Sequence, residues 1–141
     1  MNHYTLVQAT EADVDTLLRL RLMTMPTHLE KAGLFLSEDE HKARVIEDYE
    51  CSFIIYCEHK IAGMLKYKDI NTRIYIMQLQ IFPAMQNKGI GRDVLTQVIQ
   101  NRQGKRVELT VLKDNPAKNL YQRLGFTITG EDEYEYFMQL N

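Results

Sequence analysis

The chain has 141 residues, 45% of them apolar and 26% charged, with a formal net charge of −2. That length suits a single domain over residues 1–141 with one sizeable core, and the balanced charge offers nucleic acid no basic surface. No apolar run approaches the ~18 residues of a membrane span and the N-terminus lacks a signal peptide's apolar h-region, so a soluble, cytoplasmic protein is expected.

Tyr4 to Ala9 reads as a first strand. Thr10-Glu11-Ala12-Asp13 forms a capping-box pattern, and Val14, Leu17, Leu18 and Met25 follow at helical spacing until Pro26 ends or bends the helix. Residues 25–35 then form a connecting segment. Ser37-Glu38-Asp39-Glu40 starts a second helix, with Ala43, Ile46 and Tyr49 along its expected apolar face. Three strands come next: Ser52–Cys57, Ile61–Ile70 and Arg73–Ile81, separated by the short turns Glu58-His59-Lys60 and Asn71-Thr72. Such short turns predict an antiparallel meander. Strict alternation in the third strand puts Ile74, Ile76, Gln78 and Gln80 on one face and Tyr75, Met77, Leu79 and Ile81 on the other.

Beyond Pro83 the pattern switches to strand and helix alternation. Ile90, Val94, Leu95, Val98 and Ile99 mark a core-facing helix with its stop at Gly104. Val107, Leu109 and Val111 alternate as a strand over Arg106–Leu112. Asn115-Pro116 then offers an N-cap and a first helical residue, and Ala117, Leu120, Tyr121 and Leu124 form an apolar stripe up to Gly125. The chain closes with Phe126–Thr129 and Tyr134–Leu140. The fold class is therefore α/β: an antiparallel N-terminal meander, then β-α-β-α-β, giving a mixed sheet with helices on both faces.

Cys51 and Cys57 read as small buried side chains rather than a disulfide pair, and His3, His28, His41 and His59 as scattered surface or loop residues. None of these has metal-ligand spacing. Between strand and helix, Gln86-Asn87-Lys88-Gly89-Ile90-Gly91 forms a polar turn with two glycines. Gly89 and Gly91 allow unusual backbone angles and close approach of a ligand. Free N–H groups at the helix start favour an anion, above all a phosphate, and Lys88 adds charge. The bland alternative is a turn that simply needs two glycines. A dinucleotide site would require G-x-G-x-x-G, and Val94 stands at the third glycine position.

These residues resemble the GCN5-related N-acetyltransferase (GNAT) family. Gln86 to Gly91 fits its Gln/Arg-x-x-Gly-x-Gly/Ala signature. The stretch from Asn115 through Ala117, Leu120-Tyr121 and Gly125-Phe126 looks like its second cofactor motif. The order of elements matches along essentially the whole chain. The resemblance implies acetyl-CoA as co-substrate, without a metal, bound where strands Arg73–Ile81 and Arg106–Leu112 splay apart. It implies a pyrophosphate on the backbone of Gln86, Asn87, Lys88, Gly89, Ile90 and Gly91, with Arg92 as an added contact. It further implies a pantetheine arm paired with backbone at Leu79 and Ile81, and an N–H near Leu79 polarising the thioester carbonyl. Asn115 matches a side-chain contact to that arm, although it is also a good N-cap. Lys118 is placed to reach the phosphates, or is an ordinary exposed lysine.

Tyr121 matches the family's general acid, against the plain reading of a core tyrosine on an apolar stripe. An attacking ammonium must first lose a proton, which at pH 7 costs roughly 4.6 kcal/mol for a pKa of ~10.4. Family members often place a carboxylate on the strand before the first motif, where this chain has Gln78 and Gln80. Glutamine takes no proton at neutral pH but orients water. Glu30 is the base or acceptor contact offered instead, from a region that walls the acceptor pocket in this family; His28 is a second, and Tyr75, Tyr134 and Tyr136 are pocket or sheet residues. The expected partner is a small-molecule amine or a peptide amino group, with a homodimer left open. The alternative function is a non-catalytic acyl-CoA-binding sensor.

Overall fold

The computed structural model describes residues 4–141, so the reading of His3 lies outside the described residues. The strands are β1 (Tyr4–Gln8), β2 (Ser52–Cys57), β3 (Lys60–Ile70), β4 (Arg73–Ile81), β5 (Arg106–Leu112), β6 (Thr127–Glu131) and β7 (Glu135–Leu140). The helices are α1 (Val14–Thr24), α2 (Pro26–Lys31), α3 (Glu38–Ile46), α4 (Ile90–Gln100) and α5 (Ala117–Arg123). The strands form one sheet in the order β1-β2-β3-β4-β5-β7-β6. β1 to β4 pair antiparallel, β4 and β5 pair parallel, and β7 pairs antiparallel with both β5 and β6. The expected mixed sheet with helices on both faces is present. Among the described residues no helix is long and apolar enough to cross a membrane.

Alternation along β2 sets the two cores. Ile55 packs with Ile90, Val94 and Leu95 of α4, while its neighbour Ile54 packs with Leu17 and Leu20 of α1 and Val45 of α3. Each such fully buried aliphatic side chain contributes roughly 1.5–3 kcal/mol relative to exposure. The β2–β3 hairpin closes through Glu58 and His59, both left-handed at φ 52° and 71°. Two left-handed residues in a two-residue turn match the twist of the flanking strands. Gly63 of β3 is required by packing: a Cβ there would sit 2.0 Å from the Gln80 carbonyl oxygen.

Several expectations are corrected. Residues 26–31 of the connecting segment are helical, because Pro26 sits where a missing N–H costs nothing and restarts the helix that α1 ended. The buried face of α3 is His41 and Val45, whereas Ala43 and Ile46 are exposed. The cause is charge as well as periodicity. Arg21 of α1 donates from Nε to His41 Nδ1 at 2.9 Å. Lys66 of β3 reaches the last carbonyls of α3. Its Nζ donates to the Arg44, Val45 and Glu47 carbonyls at 3.2, 3.1 and 2.5 Å, supplying a cationic cap to the negative end of the helix. His41 is therefore a buried structural residue, not a surface one. The two cysteines are free and only half-buried, and α4 ends at Gln100, four residues before Gly104.

Two irregularities of β4 open the sheet. Lys66 pairs with Gln78 and Tyr67 with Ile76, so Met77 is an extra residue, a β-bulge. The bulge shifts alternation by one. Ile74, Ile76, Leu79 and Ile81 consequently all face the α4 core, while Gln80 lies opposite Met64 on the α1 side. The strictly alternating faces expected from sequence are thus broken after Ile76. Pairing with β5 also stops there: Ile76 and Leu109 are the last partners, and the rest of both strands diverges.

Candidate active site

The chain leaves β4 through Phe82 and a short turn at Pro83–Met85, then enters α4. Asn87 and Gly89 take left-handed angles, φ 63° and 78°, and Gly89 occupies the position before the helix. The first backbone bond into α4 runs from Asp93 N–H to the Gly89 carbonyl at 3.0 Å. The N–H groups of Ile90, Gly91 and Arg92 precede it and have no intrahelical acceptor, the usual state of a first helical turn and a ready anion site. Gly91 departs from expectation. It has an ordinary helical conformation, and a Cβ on it would meet only Leu79 Cδ2, at 3.9 Å. Its missing side chain serves no turn and leaves open surface in front of those N–H groups.

A groove of ≈ 530 Å³ runs from this loop to the splayed end of β4 and β5. Leu79, Ile81, Gln86, Asn87, Gly89, Ile90, Gly91, Arg92, Asn115 and Tyr121 line it, as do Met25, His28 and Arg123. A second cavity of ≈ 410 Å³ lies across the sheet, walled by α1, the segment 29–36, β5 and the start of β7. The two meet: Met25, Leu79, Gln80, Asn115 and Tyr121 line both. Past Ile76, β4 lacks β5 as a partner, so its backbone there is available to a ligand lying in the gap.

Tyr121 stands at that junction. Its ring packs edge-on against Phe126 at 6.1 Å, and burial pushes its phenol up to about 12. The hydroxyl therefore keeps its proton throughout the physiological range. No other described residue hydrogen-bonds it. Asn115 resolves its two roles by dividing its amide: Oδ1 accepts from Ala117 N–H at 2.9 Å, capping α5, which leaves Nδ2 to donate to a ligand. The Ile81 carbonyl already accepts from Gln86 Nε2 at 3.0 Å, so one predicted backbone contact is shared with a protein donor.

The inner cavity brings together a carboxylate, two arginines and two glutamines. Gln78 and Gln80 face it together, with Gln80 Nε2 3.4 Å from Gln78 Oε1. Glu135 is the carboxylate among its lining residues, beside Tyr134 and Thr110. Arg21 and Arg44 also line it. Arg21 is 2% exposed, its Nη1 has no hydrogen-bond partner, and burial together with the nearby Arg44 charge draws its guanidinium down to about 10. Burial and the Arg21 charge likewise push the His41 imidazole down.

Five sequence candidates fall elsewhere, and two of them, Tyr75 and Tyr136, are sheet residues that line neither cavity. Glu30 is exposed on α2 and lines neither cavity. Lys118 points its Nζ over the Tyr136 ring at 5.1 Å. Lys88 belongs to the loop without lining the groove. Conversely, Arg123, Glu135, Arg21 and Arg44 line the cavities and were not singled out from sequence. Arg123 lies inside the second motif and two residues past Tyr121, a signal that was available. The others come from distant elements and had none. Among the described residues no cluster of His, Cys, Asp or Glu is placed to hold a metal.

A family model described as an acetyltransferase (GNAT) domain matches residues 22–138. Solved structures share the fold. The PaiA N-acetyltransferase of Thermoplasma acidophilum, determined with coenzyme A, superposes with a TM-score of 0.76 at 16% identity, over 99% of each chain. An acetyltransferase from Thermus thermophilus gives 0.77 at 20% identity, over 99% of this chain and 98% of that one. A ribosomal-protein-alanine N-acetyltransferase from Escherichia coli gives 0.73 at 19% identity, over 98% and 93%. Among curated proteins, none matches the chain at a significant level.

Proposed function

Because the chain belongs to the acetyltransferase (GNAT) domain family, we propose that residues 1–141 act as one catalytic domain transferring the acetyl group of acetyl-CoA directly to an amine nitrogen. The observation that carries this reading is the meeting of two cavities at Leu79, Gln80, Asn115 and Tyr121. One cavity ends in an anion-binding helix start. The other holds polar groups suited to an acceptor. Two substrates entering from opposite faces reach one point, as a ternary complex requires.

The chain's own groups divide the work. The N–H groups of Ile90, Gly91 and Arg92 hold the pyrophosphate, with Arg92 and Arg123 as flanking cations. Asn115 Nδ2 and the free backbone edge of β4 hold the pantetheine arm. A backbone N–H near Leu79 polarises the thioester carbonyl as its oxygen gains negative charge. As the C–N bond forms and the C–S bond breaks, the Tyr121 hydroxyl faces the departing sulfur. A phenol near 12 is a weaker acid than a thiol of ordinary pKa ~8.5, so full transfer from it is uphill by roughly 4.8 kcal/mol. Tyr121 therefore acts first as a hydrogen-bond donor that stabilises the thiolate. It passes on a proton only as it regains one from the nitrogen. Glu135, through water held by Gln78 and Gln80, takes the proton that the ammonium must lose. Glu30, exposed and outside both cavities, has no part in this scheme.

Incubating the protein with acetyl-CoA and a panel of amines and short peptides, while following free thiol, tests the proposal. Amine-dependent thiol release with acetylated amine as product is the expected result. Tight acetyl-CoA binding with no transfer to any amine would favour the sensor reading.

A further inference from the structure

The inner cavity has a charge pattern that the transfer chemistry does not use. Arg21 is buried, and its hydrogen-bond partner is a neutral ring nitrogen, His41 Nδ1. Arg44 approaches it closely enough to lower its affinity for a proton. Neither arginine forms an ion pair within 4 Å among the described residues. Glu40, one turn before Arg44, feels its charge, but the Glu40 carboxylate is exposed and bonded to the Ser37 N–H at 3.0 Å. Two adjacent guanidinium groups, one buried with an orphaned Nη1, are costly unless an anion completes them. Guanidinium forks match planar oxyanions in particular.

Both arginines line the inner cavity, and neither lines the groove that ends at the α4 N-terminus. The anion they would complete is therefore not a coenzyme A phosphate. Glu135, Gln78 and Gln80 line the same cavity and suit an amine. We infer that the acceptor is a small amine carrying an oxyanion, a carboxylate or a phosphate-type group, whose anionic end is held by Arg21 and Arg44 while its amine reaches the junction at Leu79 and Tyr121. The inference rests on the transfer reading above. The net charge of −2 is too small to decide the acceptor, whereas the two arginines of the cavity oppose a plain polyamine.

The test is a calorimetric titration of the protein, with and without coenzyme A, using three amines that share one alkyl chain. One ends in a carboxylate, one in a phosphonate and one in a methyl group. The anionic amines should bind at least about 10-fold more tightly than the plain amine, and the better of the two identifies the oxyanion. Arg44→Gln should remove most of that preference and Arg44→Glu should reverse it. Arg21→Gln should act like Arg44→Gln if it folds; Arg44 is exposed and carries the test if Arg21→Gln does not. Equal binding of the three amines, or a preference that survives both Arg44 substitutions, would overturn the inference. Failure of the transfer reading looks different: the anionic amines would keep their binding preference while none of the three amines released free thiol from acetyl-CoA.

Discussion

The groove and the inner cavity sit back to back on one sheet but are built differently. The groove's anion-binding end is set by backbone: left-handed Asn87 and Gly89, the N–H groups opening α4, and the edge of β4 that β5 leaves unpaired. The inner cavity is made of side chains from elements far apart in sequence: Arg21, Arg44, Gln78, Gln80, Tyr134 and Glu135. A backbone site depends on local turns and helix starts, so its residues must be contiguous. A side-chain site needs only a fold that brings its parts together. On the proposed reading the groove would fix the cofactor chemistry, and the inner cavity would be free to vary the acceptor.

The largest expected effect attacks the groove. Gly91→Glu should lower acetyl-CoA affinity by roughly 100-fold or more, because a carboxylate placed before the phosphate site brings like charges together. Stability should be little changed, since a Cβ at Gly91 would meet only Leu79 Cδ2, at an ordinary contact distance of 3.9 Å. Calorimetry and a thermal melt read the two quantities separately. Gly89→Glu should lose both, because Gly89 sits at φ 78°. A Gly91→Glu protein that unfolds, or one that binds normally, would break the distinction between the two glycines.

Next comes the junction. Tyr121→Phe should lower kcat by roughly 10- to 1,000-fold with little change in acetyl-CoA affinity. The phenol near 12 also predicts no falling limb from Tyr121 below about pH 10 in the pH–rate profile. On the acceptor side, Glu135→Gln should lower kcat/KM by roughly 10- to 100-fold at neutral pH, while Glu30→Gln stays within about twofold of the parent. Reversed effects would return the base role to the segment 25–35.

The smallest effect concerns stability. The folded state holds His41 neutral as the acceptor for Arg21, with its pKa below the ordinary value. As pH falls below ~6.5 the unfolded chain takes up a proton that the folded chain resists, so stability should decline through that range. His41→Leu should flatten this limb in denaturant titrations. His41 does not line the groove, so His41→Leu should leave acetyl-CoA affinity unchanged.

What the sequence revealed follows the same division. The strand boundaries of β2, β4 and β5 were legible because alternation and short turns are local. So was the loop from Gln86 to Gly91, whose glycine spacing speaks directly for its backbone. The bulge at Met77 was not legible: nothing in Ile76-Met77-Gln78 marks an extra residue, and it arises from pairing with β3. The buried face of α3 was misread because a histidine and a valine, bound to Arg21 and packed on α1, outcompete the more apolar Ile46. Arg21, Arg44 and Glu135 resemble ordinary helix and strand charges until the fold gathers them around one cavity.

The central claim is that one ligand spans from the α4 N-terminus to the junction at Leu79 and Tyr121. A ¹H–¹⁵N NMR titration with acetyl-CoA tests it most directly, after the amides are assigned. The amides of Ile90, Gly91 and Arg92 should shift together with those of Leu79, Asn115 and Tyr121, along one binding curve. Shifts confined to the loop, with Leu79, Asn115 and Tyr121 unmoved at saturation, would contradict the claim.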